Sequence, residues 1–424
     1  MNGSSHLSKE SSLSDWLDWQ EHCHTQEIDL GLERVSSVFA RFNVQKKIFT
    51  ITVAGTNGKG SSVALLESIL VSAGYKVGVY STPHLVDYNE RVRINGLAVP
   101  DKLLVNSFAK IDEHRENTSL SYFEFGTLAA LDIFQQQMVD VQLLEVGLGG
   151  RLDAVNIVDA DAALITTISV DHIDWLGSDV SQIALEKAGV FRPRQIAVCG
   201  DASVPKTLIK YANDLKTDLL MAGEDFSFQV NDSDWQLVAS HDFAGLYLKP
   251  VLNGVHQIQN AAAVIHLLAH ISANVPVKKE AIEAGLKNVS LSGRLQRVGS
   301  KPAIYLDVAH NEESAMVLAA FVKSQKYTGK VHAVFSILKD KQLEKVMEPL
   351  IGLVSHWHIA PLRSCRSISS KKLEKYLRQD ISQPYSVYEN IADAFAYVRK
   401  NADEEDLVIC FGSFYVVEDC LGAL

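Results

Sequence analysis

The chain has 424 residues, too many for one ordinary hydrophobic core, and this length predicts two or three domains. A hydrophobic content of 47% and a mean hydropathy of +0.04 are typical of globular proteins, and no apolar run is long enough to cross a bilayer. The formal net charge of −11 argues against a nucleic-acid surface and favours work on small molecules.

The cysteines and the N-terminal segment predict the compartment. Five cysteines are scattered without paired metal-ligand spacing, and they are typical of free thiols in a reducing compartment: Cys23, Cys199, Cys365, Cys410 and Cys420. The first dozen residues are rich in serine and lack the basic and apolar regions of a signal peptide. We therefore expect a cytoplasmic protein.

The first predicted elements are two short helices. Trp16 to about His24 has an amphipathic pattern, with Ser14 as the expected N-cap. Within 28–35, a glycine turn then leads into a second helix. The residue pattern alone predicts a packing role for both.

The stretch from Thr50 to Ser62 predicts a phosphate-binding loop. A β-branched strand runs into a turn with three glycines and one lysine, and the turn opens a helix. Backbone N–H groups and the helix dipole favour an anion there, Lys59 can reach terminal phosphates, and the Ser61 hydroxyl can bind Mg²⁺. We therefore predict a nucleoside triphosphate site.

The helix that follows is expected to bury one apolar face and to end at Gly74. That face comprises Val63, Leu66, Ile69, Leu70 and Ala73. The loop itself is shorter than the common P-loop, because only two residues separate Gly55 from Gly58 instead of four.

Polar side chains follow three further predicted strands. Thr82 comes after the strand 76–80, Glu145 lies near the end of the strand 139–146, and His172 follows the strand 162–168. A lone histidine is more often structural, but the carboxyl ends of parallel strands meet at one edge of a sheet. We therefore expect these three side chains to act as ligands, and the buried Glu145 to meet a cation.

Two helical stretches leave their interpretation open. The aromatic stretch from Ser121 to Gly126 opens a helix to about Gln137, and its rings either belong to the core or hold a flat heterocycle. Lys187 lies on a helix beginning near Val180, where the residue pattern alone predicts a solvated surface lysine.

The remainder of the chain again alternates strands and helices. Strands are predicted over 303–308, 331–337, 356–360 and 407–411. The predicted fold class is α/β: a P-loop-type, mainly parallel sheet domain over 1–298, preceded by a helical segment, and a smaller Rossmann-like α/β domain over 299–424.

The ordered set of motifs resembles the folate branch of the Mur ligase superfamily, ATP-dependent enzymes that join a carboxylate to an amine. The likeness extends from Asp29 to Ser413. Its motifs are 54–61, 80–84, 121–126, 144–153, 171–172, 186–189, 293–294 and 307–311. Each motif alone is weak to moderate evidence, whereas the ordered set is highly specific.

The resemblance implies a role for each matching residue. ATP binding is implied for Gly55, Thr56, Asn57, Gly58, Lys59, Gly60, Ser61, Asn260, Arg294 and Asp307. Mg²⁺ binding is implied for Ser61, Thr82, Glu145, His172 and a carboxylated Lys187, and Lys59, Lys187 and His172 are the implied catalytic residues. The implied substrate site comprises Asp29, Leu30, Gly31, Leu32, Ser121, Tyr122, Phe123, Glu124, Leu152 and His310.

The resemblance also implies a reaction. ATP converts a carboxylate of dihydropteroate or a reduced folate into an acyl phosphate, which the amine of L-glutamate attacks. The implied cofactors are ATP and Mg²⁺, and we expect small-molecule substrates, no nucleic acid, no membrane and a monomer. Three alternatives stay open: a monofunctional folylpolyglutamate synthase, a peptidoglycan Mur ligase, and a P-loop switch that hydrolyses nucleotide without ligation.

Overall fold

The computed structural model describes residues 7–26, 28–42, 47–325 and 327–424. The helices are α1 Leu13–Cys23, α2 Glu33–Phe39, α3 Lys59–Ser72, α4 Asp101–Arg115, α5 Tyr122–Gln136, α6 Ile173–Leu176, α7 Val180–Ala188, α8 Lys206–Leu215, α9 Val255–His270, α10 Lys279–Asn288, α11 Glu312–Ser324, α12 Leu343–Ile351, α13 Ser370–Asp380, α14 Ile391–Asn401 and α15 Phe414–Gly422. Within these ranges, no helix combines the length and the apolar character that a bilayer span requires.

The strands are β1 Phe49–Ala54, β2 Val77–Tyr80, β3 Val92–Ile94, β4 Leu97–Ala98, β5 Val141–Glu145, β6 Ala162–Ile165, β7 Ile196–Cys199, β8 Asp218–Met221, β9 Phe226–Val230, β10 Asp234–Ala239, β11 Gly245–Leu248, β12 Gln296–Ser300, β13 Ala303–Leu306, β14 Val331–Phe335, β15 His356–Ile359, β16 Tyr385–Val387 and β17 Leu407–Phe411. The chain forms two compact units. Of the described residues, the first contains those up to Val170, Ser178–Val251 and Ile258–Val289, and the second contains Asp171–Gly177, Leu252–Gln257 and those of Ser290–Leu424.

The first unit is built on an eight-stranded sheet in the order β4-β3-β2-β5-β1-β6-β7-β8. All neighbours pair in parallel except β2 with β3 and β3 with β4. Because β1 lies between β5 and β6, the carboxyl ends of these three strands are adjacent. A separate antiparallel sheet of β11, β10 and β9 belongs to the same unit.

The second unit has a six-stranded sheet in the order β12-β13-β17-β14-β15-β16. Only β12 pairs antiparallel with its neighbour. Large apolar side chains of the sheet, including Phe335, Trp357 and Phe411, are fully buried in its core. The predicted α/β class, with a mainly parallel first sheet and a separate C-terminal sheet, is confirmed.

Helix α3 is buried more completely than its sequence predicted. Residues on every side of it, including Leu65 and Glu67, are buried, so the expectation of a single apolar face is wrong. The reason is a second layer: α10 crosses α3 so closely that a Cβ on Gly285 would lie 2.7 Å from the backbone nitrogen of Ile69. The predicted helix end is confirmed, since Gly74 follows α3 with φ +92°.

Helix α1 begins earlier than predicted. Ser12, and not Ser14, is the N-cap: its hydroxyl accepts a hydrogen bond from the backbone N–H of Asp15, whose carboxylate accepts from the backbone N–H of Ser12. This capping box stabilises the earlier start. The five cysteines are free, as the sequence predicted.

A buried histidine, His266 on α9, stacks on Phe226 with ring centroids 4.4 Å apart. The backbone N–H of Phe243 donates to Nδ1 of His241, so Nε2 of His241 carries the hydrogen and donates to Nδ1 of His266 at 3.0 Å. Nε2 of His266 has no hydrogen-bond partner among the described residues. Burial, together with the nearby His270 and His241, lowers the pKa of His266 to about 3.

We expect His266→Phe to make the protein less sensitive to acid, because phenylalanine keeps the stacking and cannot bind a proton. The folded-state pKa of about 3 lies below the ordinary 6.5, so the unfolded chain binds a proton first as the pH falls below 6.5. At pH 5 this costs the native state about 2 kcal/mol. Urea unfolding of the wild type and His266→Phe at pH 7.5 and pH 5 measures the free energy of unfolding. If both proteins lose the same free energy of unfolding between the two pH values, the expectation is wrong.

Candidate active site

The phosphate-type loop connects β1 to α3 and contains two glycines in conformations that disfavour other residues. Gly55 has φ +145°, and a Cβ on it would lie 1.9 Å from Oγ1 of Thr166. Gly58 has φ +87° and is the N-cap of α3. A Cβ on Gly58 would lie 2.6 Å from Oδ1 of Asn260, so the side chain of Asn260 packs directly against the loop.

The loop is held by the residues that follow β6. The hydroxyl of Thr166 donates to the carbonyl oxygen of Asn57 at 2.5 Å, and the N–H of Asn57 donates to Oγ1 of Thr167 at 3.1 Å. Thr56 exchanges hydrogen bonds with the backbone of Ser169, both 3.0 Å long. The loop therefore has a fixed shape in which its side chains and carbonyls are satisfied by protein.

Lys59 lies over the loop that it follows. Its Nζ donates to the carbonyl oxygens of Gly55 and Thr56, at 3.0 and 3.1 Å. Ser61, in the first turn of α3, is buried. A lysine ammonium beside a helix N-terminus gives this loop the positive potential that an acidic chain lacks overall.

Glu145 ends β5 and is buried. Its carboxylate accepts a hydrogen bond from the backbone N–H of Thr82 at 3.3 Å. Arg91 donates to the Thr82 hydroxyl at 3.2 Å and to Nδ1 of His84 at 2.8 Å. Burial, and then the Arg91 charge, lower the pKa of His84 to about 4, so its ring is neutral at pH 7.

The glycine-rich loop after β5 is tied to helix α7. Asp153 accepts hydrogen bonds from the backbone N–H groups of Gly147 and Leu148, and burial raises the pKa of its carboxyl to about 6. The N–H of Arg151 donates to the carbonyl oxygen of Glu186 at 2.8 Å. Lys187, the next residue, is 3% exposed. The expectation of a solvated lysine is therefore wrong, because the packed loop covers α7 at this point.

The oxygen donors of the first unit fit a magnesium ion by their chemistry. Ser61, Thr82 and Glu145 offer two hydroxyls and one carboxylate, the hard ligands that Mg²⁺ prefers. His172 belongs to the segment Asp171–Gly177 of the second unit. Among the residues that the structure describes, no three His, Cys, Asp or Glu side chains form a ready metal cluster.

Two of the residues predicted for the substrate site, Asp29 and Glu124, meet through an arginine. Arg34 pairs with Asp29 at 2.7 Å and with Glu124 at 3.2 Å. Ser121 caps α5 in a capping box with Glu124, and the Phe123 ring lies against Gly147. The apolar members of the predicted site are all partly exposed, as a site for an apolar ligand requires: Leu30, Leu32, Tyr122, Phe123 and Leu152.

The second unit has its own charged cluster around Asp171. The Asp171 carboxylate accepts from Lys341 at 2.5 Å and from Asn311 at 3.0 Å, and Nε2 of His310 lies 3.5 Å away. Burial alone raises a carboxyl pKa, but the hydrogen bond from His310 and the neighbouring positive charges hold the pKa of Asp171 well below its usual range. Asp171 is therefore ionised at neutral pH.

Arg294 and Asp307 also lie in the second unit. The Arg294 guanidinium stands over the ring of Phe414, 5.3 Å from its centroid. Asp307 accepts hydrogen bonds from the backbone N–H groups of Leu295 and Ala309, each 2.8 Å long, and burial raises the pKa of its carboxyl. In this structure Asp307 fixes the loop that carries Arg294.

Sequence reasoning missed several residues that organise these groups. The sequence pattern places Thr166 and Thr167 in a strand and indicates no role for Arg34, Arg91 or Lys341. Their partners are distant in sequence: Arg34 and Glu124 are 90 positions apart, and Lys341 and Asp171 are 170 apart. Only the position of Thr166 and Thr167 at a strand end, beside the P-loop strand, carried a usable signal.

Comparison with known proteins extends over the whole site. Residues 53–268 match the Mur ligase middle domain, and residues 293–414 match the Mur ligase glutamate ligase domain. A dihydrofolate synthase/folylpolyglutamate synthase of Escherichia coli is 42% identical over 96% of this chain and 94% of its own length. The chain belongs to this family of Mur ligases.

Solved structures of the family agree with this fold. The E. coli FolC structure in complex with DHPP and ADP has a TM-score of 0.92 and 40% identity, covering 98% of both chains. A Yersinia pestis bifunctional folylpolyglutamate synthase/dihydrofolate synthase, complexed with AMPPNP and Mn, has a TM-score of 0.90 and 40% identity, covering 99% of both. The predicted Mur ligase resemblance and the predicted enzyme class, an ATP-dependent ligase, are confirmed.

We expect Gly58→Ala to weaken nucleotide binding by at least about tenfold, because the new methyl group collides with Asn260. Gly74→Ala is the matched control: Gly74 also has positive φ, +92°, but no atom lies within 4 Å of the new Cβ. Both substitutions cost stability by about 1–2 kcal/mol. The dissociation constant for ADP, measured by calorimetry, decides the outcome: equal affinities in the two variants contradict the expectation.

Proposed function

We propose that this Mur ligase uses ATP and Mg²⁺ to join L-glutamate to dihydropteroate and to reduced folates. The observation that carries the proposal is the preformed phosphate loop, with Lys59 above it and Glu145 and Thr82 at the neighbouring strand ends. Relatives support it: the E. coli and Y. pestis proteins are named for both activities, and complexes of the two contain DHPP with ADP and AMPPNP with Mn.

The chemistry proceeds through an activated carboxylate. An oxygen of the acceptor carboxylate attacks the γ-phosphorus of ATP, and the bond to the bridging oxygen of ADP breaks. The glutamate amine then attacks the acyl phosphate, loses a proton, and phosphate leaves. Lys59 and the loop N–H groups stabilise the charge of the transferred phosphoryl group, and bound Mg²⁺ supplies further charge neutralisation.

The proposed roles follow the predicted ones. Thr82, Glu145, Ser61 and His172 are proposed to hold Mg²⁺, and Asn260, Arg294 and Asp307 to bind ATP. His310 is proposed for glutamate. The ionised Asp171 beside it supports that role, because a charged network can orient an amino-acid substrate.

Lys187 is proposed to be carboxylated. Lys187 is 3% exposed, and carboxylation requires its neutral amine, which is the form that reacts with CO₂. The resulting carbamate is an oxygen ligand of the kind that Mg²⁺ accepts. Our proposal also includes a cytoplasmic, monomeric enzyme, which the free cysteines support in part.

We expect the purified protein to attach labelled glutamate to dihydropteroate and, separately, to tetrahydrofolate, with phosphate release that depends on glutamate. Lys59→Ala should abolish both reactions and leave the melting temperature nearly unchanged, because a lysine in a phosphate loop contributes little to the hydrophobic core. Extension of folates without use of dihydropteroate identifies a monofunctional synthase. Phosphate release without an acceptor identifies a nucleotide hydrolase, and use of a UDP-sugar peptide identifies a peptidoglycan ligase.

We expect ¹³C-bicarbonate to produce a carbamate signal by NMR that Lys187→Ala lacks. The variant should lose ligation yet bind ADP as the wild type does, and added short-chain carboxylates should restore part of its activity by replacing the lost oxygen ligand. Full activity in Lys187→Arg contradicts the carbamate, since a guanidinium can be neither carboxylated in this way nor coordinated to a metal.

A further inference from the structure

Arg91 is partly buried and lies beside Thr82 and His84, the residues that follow β2 in the first unit. Its Nε donates to Nδ1 of His84 at 2.8 Å, and one terminal nitrogen donates to Oγ1 of Thr82 at 3.2 Å. The guanidinium faces the rings of Tyr88 and Tyr122, 5.4 Å from each centroid. Two neutral polar groups and two aromatic rings therefore fix the plane of this cation.

Arg91 has no carboxylate partner among the described residues. Other arginines of the first unit do have one: Arg93 pairs with Glu67 at 3.0 Å, Arg34 with Asp29 at 2.7 Å, and Arg151 with Glu186 at 2.8 Å. A partly buried guanidinium without a counter-charge is costly unless an anion binds to it. A guanidinium carries five N–H groups, and only some are used by His84 and Thr82.

His84, beside Arg91, contributes a neutral N–H donor. Because its Nδ1 accepts the hydrogen bond from Arg91, the ring is neutral and its hydrogen is on Nε2. Thr82, the other residue that Arg91 contacts, is bonded through its backbone to the buried Glu145. Arg91 is thus attached to the strand end where the proposed chemistry takes place.

We propose that Arg91 binds the acceptor carboxylate, the group that ATP converts into an acyl phosphate. This inference rests on the proposed function and assigns the residue that selects an acceptor with an ionised carboxyl group. The guanidinium holds one carboxylate oxygen while the other attacks the γ-phosphorus and ADP leaves. No proton moves in this step, because the carboxylate reacts as its anion.

The geometry also explains why position 91 requires an arginine and not a lysine. A planar guanidinium can bond to His84 through Nε and to Thr82 through one terminal nitrogen, and still have N–H groups on its terminal nitrogens for a carboxylate. Lysine has a single charged nitrogen and cannot make both sets of bonds in one plane. The flanking tyrosine rings favour a cation over a neutral side chain.

A double-mutant cycle between protein and ligand tests the proposal. Dihydropteroate and its carboxamide, which lacks the charge, are titrated by calorimetry into the ADP-loaded full-length protein at pH 7.5. In the wild type we expect the carboxylate to bind about 30-fold more tightly than the amide, and in Arg91→Ala at most about threefold. Arg91→Lys should give an intermediate ratio.

Arg93→Ala is the matched control, two residues further along the chain. It removes an arginine that pairs with Glu67, so it should lower the melting temperature and leave the carboxylate-to-amide ratio at the wild-type value. A merely structural role for Arg91 predicts the same behaviour for Arg91→Ala. Unchanged ADP affinity shows that each variant is folded, and Arg91→Gln carries the test if Arg91→Ala does not fold.

The outcomes distinguish a failure of the role proposed for Arg91 from a failure of the proposed function. A wild-type preference for the carboxylate that persists in folded Arg91→Ala overturns the role of Arg91 and leaves the proposed function intact. Binding of neither pteroate compound by the wild-type, ADP-loaded protein overturns both. Loss of the preference in Arg91→Ala, but not in Arg93→Ala, supports both.

Discussion

The contact between the phosphate loop and the end of β6 is the constraint on which the first unit depends. A turn can offer its N–H groups to a phosphate only if its other polar groups have partners elsewhere. Thr166, Thr167 and Ser169 provide those partners, and the lack of a side chain at Gly55 allows the close approach. The site is therefore preorganised by protein contacts before any nucleotide arrives.

Positive groups at the phosphate loop, and not the net charge of the chain, set the electrostatic potential of the site. The chain carries a net charge of −11, yet it presents a lysine and a helix N-terminus where a polyanion is expected to bind. Buried acidic groups are kept close to backbone donors or cations: Asp153 accepts from a glycine-rich loop, and Glu124 pairs with Arg34. Such groups hold the surrounding loops in one geometry, because moving a loop would leave a buried carboxylate without partners.

The sequence predicted most of the fold and the nucleotide loop, because both depend on local patterns. The change from an alternating to a helical period at Thr50 to Gly74, with glycines at the turn, is visible in a few residues. The roles of Arg34 and Arg91 were not visible, since an arginine looks solvated until its neighbours in space are known. Lys187 was judged wrongly from pattern alone, because the loop that buries it comes from another strand.

The crossing of α3 and α10 makes the position of the phosphate loop depend on residues that are distant in sequence. The hydroxyl of Ser68 donates to the carbonyl oxygen of Gly285, 217 positions away, and no room exists there for even a methyl group. A side chain at 285 would push on α3, whose first residue is Lys59. Natural variation in this enzyme should thus be restricted at this helix contact, and a compound that pushes the two helices apart would inhibit it without resembling ATP or a folate.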